Sequence, residues 1–366
     1  MLFFKTISFL YLRYCIIILI ALTGFMLGFD LMDSLAKLPK SANLALLYVS
    51  YRWLYALDMM LPISVVFAFI ITMVELVRSN ALTAYYALGY SRLKVLAPFL
   101  VTTVIVLMIY IGAHATSFAR ANEYSDNLRE SSQLLIPTNN LFFTHEGNYI
   151  FFGTLNPITQ TAQTIRIFTF KNGKLHEALS ADEAYYKDHY WVIQKAHLIR
   201  PPEVLNLRGR GVETEDVNEI RVLHDFRPKI LDQIYEGKVN YTILDAVDAM
   251  RLLNAQNIDL SKIKSSLYRT LITPWFALIL IVLIYGRVPI GSRFANLSLY
   301  SFGAILTTLL VWGLLFMSGE LSNNKTLSPE VGIVMPIVLL AIFTILNLSR
   351  FKIKSFLNLS QKKANV

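Results

Sequence analysis

The sequence predicts an α-helical membrane protein interrupted by an all-β domain, with three transmembrane helices on each side of an antiparallel insertion. Three observations predict it. Hydrophobic residues make up 55% of the 366 residues and charged residues only 16%, against about 25% charged in an ordinary soluble domain. Six uncharged apolar runs approach the roughly 20 helical residues that cross a bilayer core. Between the third and fourth runs the period of the apolar positions changes from helical to strand-like.

The runs are Tyr14–Phe29, Met59–Val74, Val95–Phe118, Thr270–Gly286, Phe294–Gly319 and Val331–Ser349. The shorter ones reach spanning length if Arg13, Asp58 and Arg269 hold their charges near an interface. The first run has no small-x-small cleavage site before Asp30 and reads as a retained anchor. Orientation follows from short-loop Lys and Arg. Lys5, Arg13, Arg78, Arg92, Lys94, Arg287, Arg293, Arg350, Lys352, Lys354, Lys362 and Lys363 fall on one side, and Lys37, Lys40, Arg52 and Lys325 on the other. Twelve against four places both termini in the cytoplasm and the segment from Arg120 to Arg269 outside.

Residues 120–137 read as a charged helical extension of the third span, stopped by Pro137. Strand candidates follow at Leu141–Thr144, Tyr149–Gly153, Thr164–Phe170, Ala184–Tyr186, Tyr190–Lys195 and Glu219–His224. Turns are expected at His145-Glu146-Gly147-Asn148, at Lys171-Asn172-Gly173-Lys174, where Asn-Gly suits a type I′ turn, and at Lys187-Asp188-His189. A lone hairpin is marginal in water, so this many strands imply a small domain with its own core, of six to nine strands. Tyr241–Asn254 returns to helical spacing, with Ile243, Val247, Met250, Leu252 and Leu253 as an apolar stripe.

Several chemistries are excluded. The net charge of +9 comes largely from basic residues flanking apolar runs, not from a basic polar face of the kind that binds nucleic acid. The single cysteine, Cys15, lies in the first run, which rules out an intrachain disulfide and argues against a cysteine metal site. The Gly-Lys pairs at 173–174 and 237–238 lack the rest of a Walker A loop. His-Glu-x-x-His and Gly-x-Ser-x-Gly are missing. No cofactor and no catalytic set is expected. The cores of the third to sixth spans carry one ionisable residue, His114, which disfavours a proton-driven carrier. Any energy for transport then comes from another subunit.

Several segments carry a resemblance. Ser79-Asn80-Ala81-Leu82-Thr83-Ala84-Tyr85-Tyr86-Ala87-Leu88-Gly89-Tyr90-Ser91 reads as a short helix that Asn80 caps and Gly89 ends in the left-handed conformation. Leu141–Phe152 has an acidic-Gly-Asn turn before an aromatic strand, Tyr268–Pro274 a basic-then-Pro entry to the fourth span, and Gly286-Arg287-Val288-Pro289-Ile290-Gly291 a matching loop after it. Together with the three-and-three division these resemble, over nearly the whole chain, the LptF/LptG permeases of lipopolysaccharide export, with a local form nearer LptG. The resemblance implies a fold of three spans, a periplasmic antiparallel β-jellyroll, an amphipathic connecting helix and three more spans. On this sequence those parts fall at 1–119, with a coupling helix at 80–89, then 120–240, 241–266 and 267–350, followed by a basic tail at 351–366.

It also implies partners: a cytoplasmic LptB-like ATPase dimer, a paralogous LptF-like permease, an LptC-like bridge protein and lipopolysaccharide as substrate. Asn80, Ala84, Tyr85, Leu88, Gly89 and Tyr90 are the expected ATPase-coupling residues, with Tyr85, Tyr86 and Leu88 as a plug. Two positions depart from the family pattern: Ala81 stands where a Glu is usual, and Gly28-Phe29-Asp30 where a basic residue is usual. Lys37, Lys40, Arg52, Arg120 and Arg129 fall near the outer interface and are the expected contacts to a phosphorylated headgroup. Phe142, Tyr149, Phe151, Phe168 and Phe170, with Phe143 and Phe152, are expected to line the interior of the β domain as a lipid conduit. Two other classes compete: the transmembrane subunit of another lipid-exporting or mechanotransmitting ABC system, and a membrane-bound enzyme working through its outer domain.

Overall fold

A computed structural model describes residues 2–35, 38–132, 134, 137–145, 148–156, 159–171, 173–202, 211–224, 241–253, 260–289 and 296–348. The chain divides into two compact units, Met1–Ser125 with Ser261–Val366, and Asp126–Leu260.

Among the described residues the first unit contains six helices long and apolar enough to cross a membrane. Span one is α1 (Leu2–Ser34), span two is α2 (Ala42–Arg78) and span three is α4 (Arg92–Ala113). A short helix, α3 (Ala81–Ala87), lies between spans two and three. At 1.5 Å per residue, 33 and 37 residues give α1 and α2 lengths of about 50 and about 55 Å. Both run past a hydrocarbon core of about 30 Å, which is why Asp58 and Glu75 fall inside a continuous helix instead of flanking it.

Span three does not continue unbroken into the next helix. His114, Ala115 and Thr116 donate to carbonyls three residues back, the Thr116 hydroxyl accepts from the Phe118 amide, and a 3-10 turn covers Ser117–Arg120. Helix α5 (Ala121–Ser131) then restarts and ends well before Pro137, so the proline does not stop it.

Span four (Ser261–Tyr285) is built from α7 (Ser261–Leu271) and α8 (Phe276–Tyr285), joined by a 3-10 turn at Thr273–Trp275. Pro274 in that turn has no N–H to continue the helical ladder. Residues 261–266, expected in the connecting helix, therefore open span four. Span five is α9 (Leu297–Asn323) and span six is α10 (Glu330–Leu348). The loop residues 290–295 and the tail 351–366 lie outside the described residues.

Polar groups tie the spans where lipid leaves no other partner. The buried Tyr11 hydroxyl lies 2.8 Å from Thr103 Oγ1 and 3.1 Å from the Val65 carbonyl, joining spans one, two and three. Ser265 and Ser322 meet at 2.7 Å between spans four and five. Span six packs so closely on span five that a Cβ on Gly332 would come within 2.8 Å of Ser322 Cβ and 3.0 Å of the Ser318 carbonyl.

The second unit holds an antiparallel sheet of eight strands among the described residues. These are β1 (Thr138–His145), β2 (Asn148–Asn156), β3 (Thr161–Lys171), β4 (Lys174–Lys187), β5 (Tyr190–Ile193), β6 (Ala196–Arg200), β7 (Glu213–Val217) and β8 (Ile220–Val222). The order is β1-β2-β3-β4-β5-β8, with β6 pairing both β4 and β7. The expected turns are partly visible. Lys171 pairs with Lys174 around Gly173 at φ +73°. Asp188 and His189, both at positive φ, join Lys187 to Tyr190 as a type I′ turn requires. Glu146, Gly147 and Asn172 lie outside the described residues.

The core of the sheet is one face: Leu141, Phe143, Ile150, Phe152, Ile165 and Trp191, with Phe152 and Trp191 rings 5.1 Å apart. This corrects the expectation for the five conduit residues. Phe142 is 54% exposed and Tyr149 and Phe170 each 41% exposed, while Phe151 and Phe168 are half-buried. The register pairs Phe142 with Phe151 and Tyr149 with Phe168, on the face opposite the Phe143–Ile150 and Leu141–Phe152 pairs. Successive strand residues point to opposite faces, so Phe142-Phe143 and Phe151-Phe152 each send one ring inward and one outward. Separate from the sheet, α6 (Ile243–Leu253) opens with the Thr242 hydroxyl accepting from the Asp245 amide.

Candidate functional site

Helix α3 is seven residues long, too short to be stable alone, and the surrounding residues show what holds it. Gly89, at φ +88°, donates to the Tyr86 carbonyl at 3.0 Å, and Tyr90 donates to Tyr85 at 3.1 Å. This is a Schellman end, in which glycine takes the left-handed position that costs other residues energy. At the other end Asn80 occupies the cap position, but its side chain makes no capping bond and its own φ is +58°. Asn80 thus acts through its tolerance of the left-handed conformation, not as the expected side-chain cap.

One face of α3 is fastened to the spans. Leu82 is fully buried. The Tyr86 hydroxyl lies 3.1 Å from the Tyr285 hydroxyl at the end of span four, and Tyr285 in turn donates to the Arg92 carbonyl at 2.7 Å. Phe3 of span one stacks on Tyr90 at 4.2 Å and meets Tyr85 edge-on at 4.7 Å. The three tyrosines therefore point back into the protein, and the expectation that Tyr85 and Tyr86 form an outward plug is corrected. The outward face is Ala84, Ala87, Leu88 and Gly89, with Leu88 75% exposed; Leu93, in the first turn of span three, is also 75% exposed.

The five basic residues expected at a headgroup do not form one open cluster. Arg52 binds Asp30 through Nε at 2.6 Å and Nη2 at 2.5 Å, and Asn122 through Nη1 at 2.8 Å. Arg120 has no exposed surface and grips Glu123 at 2.9 and 3.0 Å. Arg129 lies 3.3 Å from Asp126. A guanidinium withdrawn from water needs a carboxylate beside it, and Asp30 supplies one to Arg52. Lys40 is exposed, and Lys37 lies outside the described residues.

A second polar group was missed by sequence reasoning. Asp58 Oδ1 accepts from the Tyr110 hydroxyl at 2.7 Å and lies 2.9 Å from His114 Nε2. Pro62, four residues after Asp58, frees the Asp58 carbonyl from the helical ladder, and the Tyr110 hydroxyl also stands 3.3 Å from that carbonyl. Nearby, Arg269 of span four bonds Glu320 of span five at 2.8 Å and lies over the Phe316 ring at 5.7 Å. Tyr14 of span one hydrogen-bonds Glu75 of span two. The available signal was an acid inside or at the edge of an apolar run, each of which needs a partner.

Six spanning helices split around an inserted sheet, with a tied-down short helix between spans two and three, define a multi-pass membrane protein of the permease type. Residues 5–350 match the lipopolysaccharide export system permease LptF/LptG family, and the chain belongs to it. The match does not separate LptF from LptG. A search of curated proteins found no match.

Proposed function

We propose that this chain is the permease subunit that draws lipopolysaccharide from the inner membrane and passes it to an LptC-like periplasmic bridge. A separate LptB-like ATPase dimer supplies the energy, and an LptF-like permease completes the transporter. Family membership supports the general role. The observation that carries the mechanism is α3, anchored by Leu82, Tyr86 and Tyr90 and presenting Ala84, Ala87 and Leu88 outward. A short helix fastened to spans one and four passes a push from a docked ATPase to both.

Spans one, five and six bury only 11%, 17% and 22% of the residues in their apolar windows, against 67% for span two. This supports a second permease and a lipid cavity as their neighbours. Lys37 and Lys40 are the headgroup contacts in this reading, because Arg52, Arg120 and Arg129 already hold carboxylates. The outward aromatic face, Phe142, Tyr149, Phe151, Phe168 and Phe170, offers the β domain a surface compatible with lipid or with a bridge domain.

The test is Ala84→Asp or Leu88→Asp. A carboxylate buried in a docking groove without a partner costs several kcal/mol. Co-purification of the ATPase should fall sharply while the variant still inserts and melts as the wild type does. Undiminished ATPase recovery and transport would assign the dock elsewhere.

A further inference from the structure

Span three ends on a histidine whose two ring nitrogens both face acceptors. The His114 amide donates to the Ile111 carbonyl, so the Tyr110 carbonyl lacks the helical amide four residues on. The ring takes that place, with His114 Nδ1 3.0 Å from the Tyr110 carbonyl. On its other side Nε2 lies 2.9 Å from Asp58 Oδ1 of span two. The same oxygen accepts from the Tyr110 hydroxyl at 2.7 Å.

A carbonyl oxygen only accepts, and a neutral imidazole has a single N–H. The geometry is therefore satisfied in two ways: an imidazolium beside a carboxylate, or a neutral imidazole beside a protonated Asp58. Both forms hold two protons between the residues and carry no net charge. When one proton leaves, the remaining N–H serves either the helix end or span two, never both. A negative charge is then left beside a ring only 5% exposed, and a buried charge is costly unless it is paired.

The groups around the pair pull in opposite directions. Phe118, its ring centroid 5.1 Å from that of His114, covers the site with apolar surface and favours the uncharged pair. Arg269 of span four lines the same cavity as Asp58 and Tyr110 and opposes the second proton. Glu320 of span five, 2.8 Å from Arg269, offsets that cation. Arg269 also stands 3.8 Å from Met59 Sδ, so the pair sits where spans two to five meet.

We propose that Asp58 and His114 form a proton-dependent clasp, which holds the end of span three to span two while the pair keeps its second proton and releases it when rising pH removes that proton. The inference rests on the packing of spans two to five and not on the exported substrate or an ATPase. Below about pH 6.5 an imidazole is protonated in the folded and unfolded chains alike, and the clasp stabilises fully. Above that pH only the folded chain keeps the proton, and the stabilisation is lost as the pair titrates.

The test uses the full-length protein with 15N-labelled histidine in nanodiscs. His114→Gln or His114→Asn identifies the His114 signals among those of six histidines, so one variant failing to fold leaves the test intact. In the unsubstituted chain these signals should step above about pH 6.5. Asp58→Asn, which removes the carboxylate, should move the step to lower pH. Hydrogen exchange at residues 110–118, corrected for its own pH dependence, should rise about tenfold across the step, as loss of a bond between charged groups implies. In His114→Gln it should show no step. A His114 that titrates at or below the ordinary imidazole value would overturn the proposal, as would exchange in His114→Gln that follows the unsubstituted chain.

Discussion

Arg120 and Glu123 form a pair that only makes sense together. The arginine is fully buried, its partner nearly so, and two short bonds join them three residues apart. Arg120→Met alone leaves a carboxylate buried without its cation and should cost about 3–5 kcal/mol, whereas Arg120→Met with Glu123→Met removes both charges and should recover most of that loss. Thermal unfolding of the purified full-length chain checks it; a double variant as unstable as the single would refute the pairing argument. The same reasoning revises the role first read for Arg120. Its acid three residues on was visible in the sequence, but the burial that commits one to the other was not. Asp30 was visible too, yet it is 22 residues from Arg52 in sequence and only the helical hairpin brings them together.

Helix α3 and the sheet show which features of an element can be read locally. Gly89 announced a left-handed helix end, and it has one, because the constraint lies in the backbone of a single residue. The direction of Tyr85 and Tyr86 was not readable, because it depends on Phe3 and Tyr285, far away in the chain. Hairpins were legible from turn residues for the same local reason, while β6 and β7 were missed, since β7 (Glu-Thr-Glu-Asp-Val) carries almost no apolar pattern and forms by pairing with β6. Adjacent aromatic pairs left the inward parity of β1 and β2 undetermined, and the register decides it. Trp191→Ala should therefore cost about 3–5 kcal/mol and loosen amide hydrogen-exchange protection across β2–β4 in the full chain. Phe142→Ala, on the outward face, should leave that protection nearly unchanged. Equal loss in both would mean that the faces are assigned the wrong way round.

At the scale of the whole molecule the governing quantity is the distribution of charge around six spans. Lys and Arg resist transfer across the membrane during insertion, so the side richer in them in short loops stays cytoplasmic. Arg78, Arg92, Lys94 and Arg287 gather at the same ends of spans two, three and four, near the helix ends that hold α3. Lys5 and Arg13 lie at the start of span one, the end whose Phe3 packs on Tyr85 and Tyr90, so contacts and charge agree on one face. The opposite ends carry Lys40 and Arg52, and Arg52 is bound to Asp30. An odd number of spans then separates the amino terminus from the sheet, and three more return the chain. Reporter fusions that end after Leu175 and after Lys363 should thus report opposite compartments, the first external and the second cytoplasmic. Alkaline phosphatase activity and green fluorescence, each active on only one side, read the two outcomes independently. Replacing Arg78, Arg92 and Lys94 with Gln should weaken the bias and yield a mixed population at the first site. If both fusions report one compartment, the three-and-three arrangement about the membrane fails, and with it the proposed docking of an ATPase on α3.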